Sequence, residues 1–381
     1  MTAEDKHTVN QRRRRMALRV LTAGFVLALA AVVPPLILEG FFYLAVRNPG
    51  VLSYAPEPVR SEVQVQYWIN DAREIQYLPS CARYDPTLGY TLKPGTCTFS
   101  NIEFSNGFSV NQAGLRDDAE SLSEPEIIVA GDSQAMGWGV DQEDSFPQQL
   151  ERLTGKKVLN AGVSSYGTVR EMALASRFFS SRLKVLIIQY SDNDYSENLA
   201  FEKGGNRMKP MPRSKYDALA ILPGDKDYRF FQYMKYEYVK LRYESGFRRN
   251  MAPPPVPSRI AELFLNVVAA YGGQGLSGVS VIAFEVGPHN VYTGFSQGLV
   301  KERLSSRWPD WAGKIVVLDL SKILRPEDFY ILDGHLTRTG HDKVARLLAG
   351  TIGAETAKLQ DIPGKGGPEH DQLTFIPKTT H

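Results

Sequence analysis

The sequence predicts a three-layer α/β/α sandwich on a central parallel sheet, preceded by one N-terminal transmembrane helix. Two observations predict the sandwich. From residue 126 onward, short apolar runs alternate with stretches of helical periodicity, the pattern of strands joined by helical crossovers. Three of those runs end in glycine, serine or asparagine, which places polar groups at the carboxyl ends of strands, where such sheets bind ligands. The transmembrane helix is predicted by the uncharged residues 20–38, extended past Glu39 by Phe41-Phe42-Tyr43-Leu44-Ala45-Val46. About 20 apolar residues span a bilayer core as helix.

Taken in order, residues 1–16 form a basic segment expected on the cytoplasmic side, because Arg12, Arg13, Arg14 and Arg15 flank the apolar run. Residues 17–46 are expected to anchor the chain, with Pro34-Pro35 as a site of kinking, and to leave the body outside the cytoplasm. A cleavable signal peptide is the rival reading, since Ala28-Leu29-Ala30 resembles a cleavage site; apolarity that continues well beyond it favours the anchor. Residues 47–80 read as a juxtamembrane segment with a short helix over 62–75. Residues 81–125 read as a small β-rich cap, with turn residues from Tyr84 to Gly95 and strand-like alternation over 101–110. Cys81 and Cys97 are the only cysteines; they either pair, if the body lies in an oxidising compartment, or stay as buried thiols.

The alternating region gives strand 126–131, helix 145–154, strand 156–160, helix 168–181 and strand 184–190. Residues 195–256 form an insertion, a candidate wall or lid over the strand ends, with a proline-rich linker or stiff turn at 251–257. Helix 257–272, strand 279–286, helix 296–307, strand 314–320 and helix 338–350 complete the domain, set at 81–350, and 351–381 reads as a polar tail.

Of 44 basic and 42 acidic residues, six and three lie within 1–46, which leaves 38 against 39 in the body. A body so near neutrality gives no reason to expect nucleic acid as a partner. Two cysteines without a neighbouring histidine do not make a zinc site, and no phosphate loop or dinucleotide fingerprint is visible, so neither metal nor cofactor is expected. The chain does offer nucleophile chemistry. Gly131-Asp132-Ser133 puts a serine where a strand turns into a loop, and Asp333-Gly334-His335 puts a carboxylate two residues before a histidine. A serine needs a base to become a nucleophile, and the base needs an orienting group. Ser133 is therefore the candidate nucleophile, His335 the general base and later acid, and Asp333 the group that holds its ring. The motif is not Gly-x-Ser-x-Gly, which disfavours the α/β-hydrolase fold.

Gly131-Asp132-Ser133, Gly162, Ser191-Asp192-Asn193-Asp194 and Asp333-Gly334-His335 occur in the order of the four blocks of the SGNH (GDSL-type) esterase and acyltransferase superfamily, and the sequence resembles that family over roughly residues 84 to 350. Two positions depart from its pattern: Gln134 stands where the name-giving leucine follows the serine, and Ser191 where the third block has glycine. The resemblance implies a flavodoxin-like sandwich and an oxyanion hole formed by Ser133, Gly162 and Asn193. Gly162 has no side chain to keep a substrate oxygen away, and Asn193 can donate amide hydrogens to it. Asp132 and Asp194 are expected to brace their loops, His341 to be structural, Tyr166 and Trp138 to pack, and His289 to decorate the site edge. The implied activity is that of a membrane-anchored, periplasmic serine esterase removing acetyl or other short acyl groups from an ester, such as an acylated cell-surface polysaccharide, through a Ser133 acyl-enzyme. An O-acyltransferase with the same triad, and a non-catalytic glycan-binding or assembly protein, are the alternatives.

Overall fold

The computed structural model describes residues 3–221, 226–247 and 255–360. Its elements run in chain order from α1 (Ala3–Arg47) and α2 (Glu57–Asn70) to two antiparallel hairpins, β1 (Ala82–Asp85) with β2 (Gly89–Leu92) and β3 (Gly95–Asn101) with β4 (Phe104–Val110). Then come β5 (Ile127–Ala130), α3 (Ser133–Met136), α4 (Phe146–Thr154), β6 (Val158–Asn160), α5 (Thr168–Ala175), β7 (Val185–Tyr190), α6 (Asp194–Lys203) and α7 (Arg213–Leu219). The chain ends with α8 (Gln232–Phe247), α9 (Pro257–Gly272), β8 (Ser280–Glu285), α10 (Phe295–Glu302), β9 (Val316–Leu318) and α11 (Arg338–Gln360). The described residues divide into two compact units, with boundaries after residues 71, 226 and 251.

The smaller unit holds α1, α2 and α8. Residues Arg12–Arg47 of α1 are long and apolar enough to cross a membrane, as an anchor or a signal sequence would be. Its far end is packed instead: Phe42, Ala45 and Val46 are buried, and Glu39, the charge in the apolar run, accepts hydrogen bonds from the Tyr228 hydroxyl and the Met234 N–H, both at 2.9 Å. Asp71 accepts from the Tyr233 hydroxyl at 2.9 Å and faces Arg47 at 3.7 Å. The latter part of the expected insertion thus belongs to the helical unit. The short helix expected over 62–75 starts earlier, at Glu57, because Pro56 and Pro58 fix the entry backbone.

The larger unit is the predicted α/β fold. Five parallel strands lie in the order β6-β5-β7-β8-β9. Strand residues alternate between two cores, as a pleated sheet requires. Ile128, Leu159, Leu186, Ile188 and Val281 pack with Val169 of α5, Phe264 of α9 and Leu299 of α10. Ile127, Val158, Ile187, Phe284 and Leu318 pack with Leu150 of α4 and Val344 and Leu348 of α11. The strand order reverses between β5 and β7, so the crevice at their carboxyl ends is the topological switch point.

Several boundaries differ from expectation. The alternation over 101–110 is the tip and second strand of the β3–β4 hairpin, with Ile102-Glu103 as its turn. α5 ends at Ala175 and gives way to a 3-10 turn, and α11 runs ten residues past 350, to Gln360. Residues 361–381 of the expected tail and 251–254 of the proline-rich linker lie outside the described residues. Cys81 and Cys97 form a disulfide, which ties β3 to the segment leading into β1.

Candidate active site

Gly131 and Asp132 turn the chain from β5 into the single turn of α3, so Ser133 stands at its first position. Asp132 caps that turn by accepting the Gln134 N–H at 2.9 Å, and Gly137 closes it in the left-handed region at φ +86°. Ser133 Oγ lies 2.7 Å from His335 Nε2, and His335 Nδ1 lies 2.5 Å from Asp333 Oδ1. All three residues are buried. With the Nδ1 proton donated to Asp333, Nε2 is left to accept the serine hydroxyl proton. The structure therefore brings Ser133, Asp333 and His335 together in hydrogen-bonded sequence.

The loop that carries Asp333 and His335 is held by side chains remote in sequence. Glu103, at the tip of the β3–β4 hairpin, accepts the N–H groups of Ile331, Leu332 and Asp333 at 2.9, 2.9 and 2.8 Å. Burial pushes the Glu103 carboxyl above the ordinary range, and those three donors pull the other way. Asn101 of the same hairpin reaches Asp333 Oδ2 at 3.4 Å. Trp138 stacks on the His335 ring, with centroids 4.7 Å apart and planes 15° from parallel, and is itself met edge-on by Phe99 of β3. Gln134 accepts the Leu336 N–H at 3.1 Å, so the residue at the expected leucine position joins the serine turn to the histidine loop. Gly334 sits at φ +77°, and a Cβ there would stand 2.6 Å from the His289 ring. His289 donates its N–H to the Gly334 carbonyl, and its Nε2 lies 3.1 Å from the Leu332 carbonyl; the expected edge decoration is a brace of this loop.

The three expected oxyanion donors differ in what they present. Among the described residues the Ser133 N–H has no hydrogen-bond partner. The Gly162 N–H donates to Asn160 Oδ1 at 3.0 Å, and the absence of a side chain there lets β6 approach α3, since a Cβ would lie 2.4 Å from Met136 N. Asn193 Nδ2 donates to the Tyr166 carbonyl at 3.0 Å while its Oδ1 is buried without a partner. Ser191, where glycine was expected, serves as a strut: its hydroxyl accepts from Gln189 Nε2 at 2.8 Å and donates to the Val286 carbonyl at 3.0 Å. Gln189 Oε1 in turn accepts the Asp132 and Ala135 N–H groups. Asp194 accepts the Ser191 and Thr168 N–H groups, which ties the Asn193 loop to the start of α5.

Behind the site lie carboxyls that burial raises: Asp132 above its ordinary value, and Asp194 and Glu171 well above theirs. Among the described residues no group of three or more His, Cys, Asp or Glu is placed to hold a metal ion. Arg116 is fully buried over the Phe108 ring and donates to the carbonyls of Gly137, Val140 and Gly107 at 2.5, 2.8 and 2.9 Å. It joins the hairpin to the end of the serine turn, and burial pulls its guanidinium down to about 9. His341 is structural, as expected: its Nδ1 accepts the Phe146 N–H at 3.1 Å. Tyr166 packs as expected, its ring 5.4 Å from that of Tyr90. Sequence reading gave no role to Glu103, Asn101, Gln134 or Arg116. The one signal available was that Glu103 and Arg116 stand in an otherwise β-rich, turn-rich stretch, where a buried charge must serve the backbone around it.

Fold and site together define an α/β protein with a serine–histidine–aspartate relay at the switch point of a five-stranded parallel sheet. No family model and no curated protein sequence matches the chain. Its structure is similar to those of SGNH/GDSL-type hydrolases and carbohydrate esterases. A protein assigned to the lipolytic G-D-S-L family from Desulfitobacterium hafniense DCB-2 is 13% identical, with 59% of this chain and 97% of that one covered and a TM-score of 0.32. A carbohydrate esterase family 2 enzyme with a carbohydrate-binding domain, from Corynascus thermopiles (Myceliophthora fergusii), is 11% identical over 61% of this chain and 67% of that one, TM-score 0.34. An acetyl xylan esterase from the rumen bacterium Butyrivibrio proteoclasticus is 8% identical over 61% and 64%, TM-score 0.35. Likenesses this distant assign no activity.

Proposed function

We propose that the chain is a serine esterase that removes acyl groups, acetyl foremost, from an ester such as an acylated cell-surface polysaccharide. The observation that carries this reading is the unbroken relay from Ser133 Oγ through His335 to Asp333 at the carboxyl edge of the sheet. His335 Nε2 takes the hydroxyl proton as Ser133 Oγ attacks the ester carbonyl, and Asp333 stabilises the imidazolium. The tetrahedral oxyanion is met by the free Ser133 N–H and by the second amide hydrogen of Asn193. Gly162 joins them only by giving up its bond to Asn160. His335 returns its proton to the departing alcohol, leaving the acyl-enzyme. Water, deprotonated by the same nitrogen, adds to the acyl carbonyl, and Ser133 leaves with the proton restored. The long apolar stretch of α1 behind four arginines supports an uncleaved single-pass anchor in the cell inner membrane, with the α/β unit in the periplasm.

The test is p-nitrophenyl acetate turnover and acetate release by the full chain in neutral detergent, with Ser133→Ala beside it. Loss of at least ~10³-fold in kcat on mutation is expected. Equal rates in both proteins would refute the esterase reading.

A further inference from the structure

A stretch of the α/β unit outside the relay is strongly biased in charge. Residues 203–215 carry five basic side chains and no acidic one, in a body otherwise balanced in charge. This stretch rims a cleft of about 610 Å³. Arg207, Lys209 and Lys215 line it; they are exposed, and among the described residues they form no ion pair. The floor is apolar, from Leu88, Val169 and Phe201. The rim is fixed in place: Asn206 and Asn266 exchange side-chain hydrogen bonds at 3.3 and 2.9 Å, and the Gly204 and Asn206 N–H groups return to the end of α6. Beyond the rim, Tyr216 of α7 is buried against the rings of Tyr77, Tyr84 and Tyr90.

One wall of the cleft is shared with the support of the active site. Arg170 and Glu197 line the cleft and pair at 2.7 Å. Arg170 also donates to the Ser165 carbonyl at 2.6 Å, and Glu197 accepts the Gly167 N–H at 3.1 Å. Between these two residues stands Tyr166, whose carbonyl holds the Asn193 amide. The loop at residues 165–167 is thus held on the one hand by two residues that line the cleft and on the other bonds Asn193 of the proposed oxyanion hole.

We propose that this cleft binds an acidic glycan, a chain of sugars bearing carboxylates, as the polymer whose ester reaches Ser133. Three cations along one rim, unpaired among the described residues, match repeated anionic groups, and an apolar floor suits the C–H faces of sugar rings. The assignment of this polymer as substrate rests on the esterase reading, whereas its binding does not.

The test is therefore binding, measured by calorimetry on the full chain in neutral detergent with Ser133→Ala in the background to prevent turnover. The probes are a short polygalacturonate oligomer, a neutral cello-oligomer of equal length and dihexanoyl phosphatidylglycerol. The acidic oligomer is expected to bind, more weakly as salt rises, and the neutral one to bind at least about tenfold more weakly. Combining Arg207→Ala, Lys209→Ala and Lys215→Ala is expected to weaken the acidic oligomer about tenfold, from three exposed charge contacts, with the melting temperature unchanged. Equal binding of acidic and neutral oligomers, or of the Ser133→Ala parent and the triple variant built on it, would overturn the proposal. So would preferential binding of the anionic lipid, which would make the cleft a headgroup site. Failure here leaves p-nitrophenyl acetate turnover unaffected, so it is distinguishable from failure of the esterase reading.

Discussion

Replacing Glu103 tests whether the hairpin tip positions the proposed base. Its two oxygens accept three backbone N–H groups, from Ile331, Leu332 and Asp333, at 2.8 to 2.9 Å. In Glu103→Gln one oxygen becomes an NH₂ group, so at most two of those bonds survive, at neutral strength, and a donor is set against the third N–H. A hydrogen bond to a charged group contributes about 1.5–3 kcal/mol and a neutral one about 0.5–1.5, so the loop loses on the order of 5 kcal/mol of restraint. Asp333 is within that loop and His335 two residues beyond it. A displacement of ~1 Å there would cost ~10²-fold in rate. The expected result is kcat for p-nitrophenyl acetate reduced about 100-fold with KM changed less than about threefold, since no substrate contact is removed. Glu103→Asp separates charge from placement: it keeps the charge but falls about 1.5 Å short, so it should lose activity as well. Wild-type kcat in both variants would refute the claim that Glu103 positions the relay. Loss of kcat in Glu103→Gln with full activity in Glu103→Asp would show that charge, not placement, is what Glu103 supplies.

Two further outcomes follow from groups outside the relay. Burial pulls the His341 imidazole down to about 3, far below its ordinary value, so the folded protein keeps it neutral while the unfolded chain protonates it near pH 6.5. Below that pH the unfolded state binds the extra proton, so stability falls with pH between about 6.5 and 3; by pH 5 the loss is about 2 kcal/mol. Urea melts at pH 7 and pH 5 should show this drop in wild type and a drop about 2 kcal/mol smaller in His341→Gln, which carries no titrating group; equal drops would refute it. The Cys81–Cys97 disulfide closes a loop with a sequence separation of 16, which contributes on the order of 3 kcal/mol by restricting the unfolded chain. Reductant should lower wild-type stability by about that amount in urea melts and leave Cys81→Ser/Cys97→Ser unaffected; an unchanged wild-type midpoint would show that the bridge does not stabilise the fold.

The sequence made the sheet legible because its strands are short, uniformly apolar and punctuated, and Ser133, Asn193 and the Asp333–His335 pair were legible because each follows an apolar run or sits in a turn. What stayed hidden is tertiary. Glu103 and Ile331 are 228 residues apart, and Gln134 and Leu336 are 202 apart, so no periodicity links them. Gln134 drew notice only as a departure from a pattern, and Ser191 likewise, yet each makes a specific strut in place of the residue it replaces. Gly162 shows the reverse: a glycine chosen for an open N–H has a packing reason for being glycine, and its N–H is occupied. The length of α11 was misjudged because its last turns carry polar residues that read as tail.

Ser133 and the histidine that meets its hydroxyl, His335, stand 202 residues apart in the chain. In the order of synthesis the Ser133 turn, β6, β7 and the Asn193 loop all precede the segment that bears Asp333 and His335. On the esterase reading, a chain synthesised only as far as the Asn193 loop holds Ser133 without His335 beside it. The relay is complete only once the segment whose N–H groups Glu103 accepts is in place, so on that reading completing the fold completes the site.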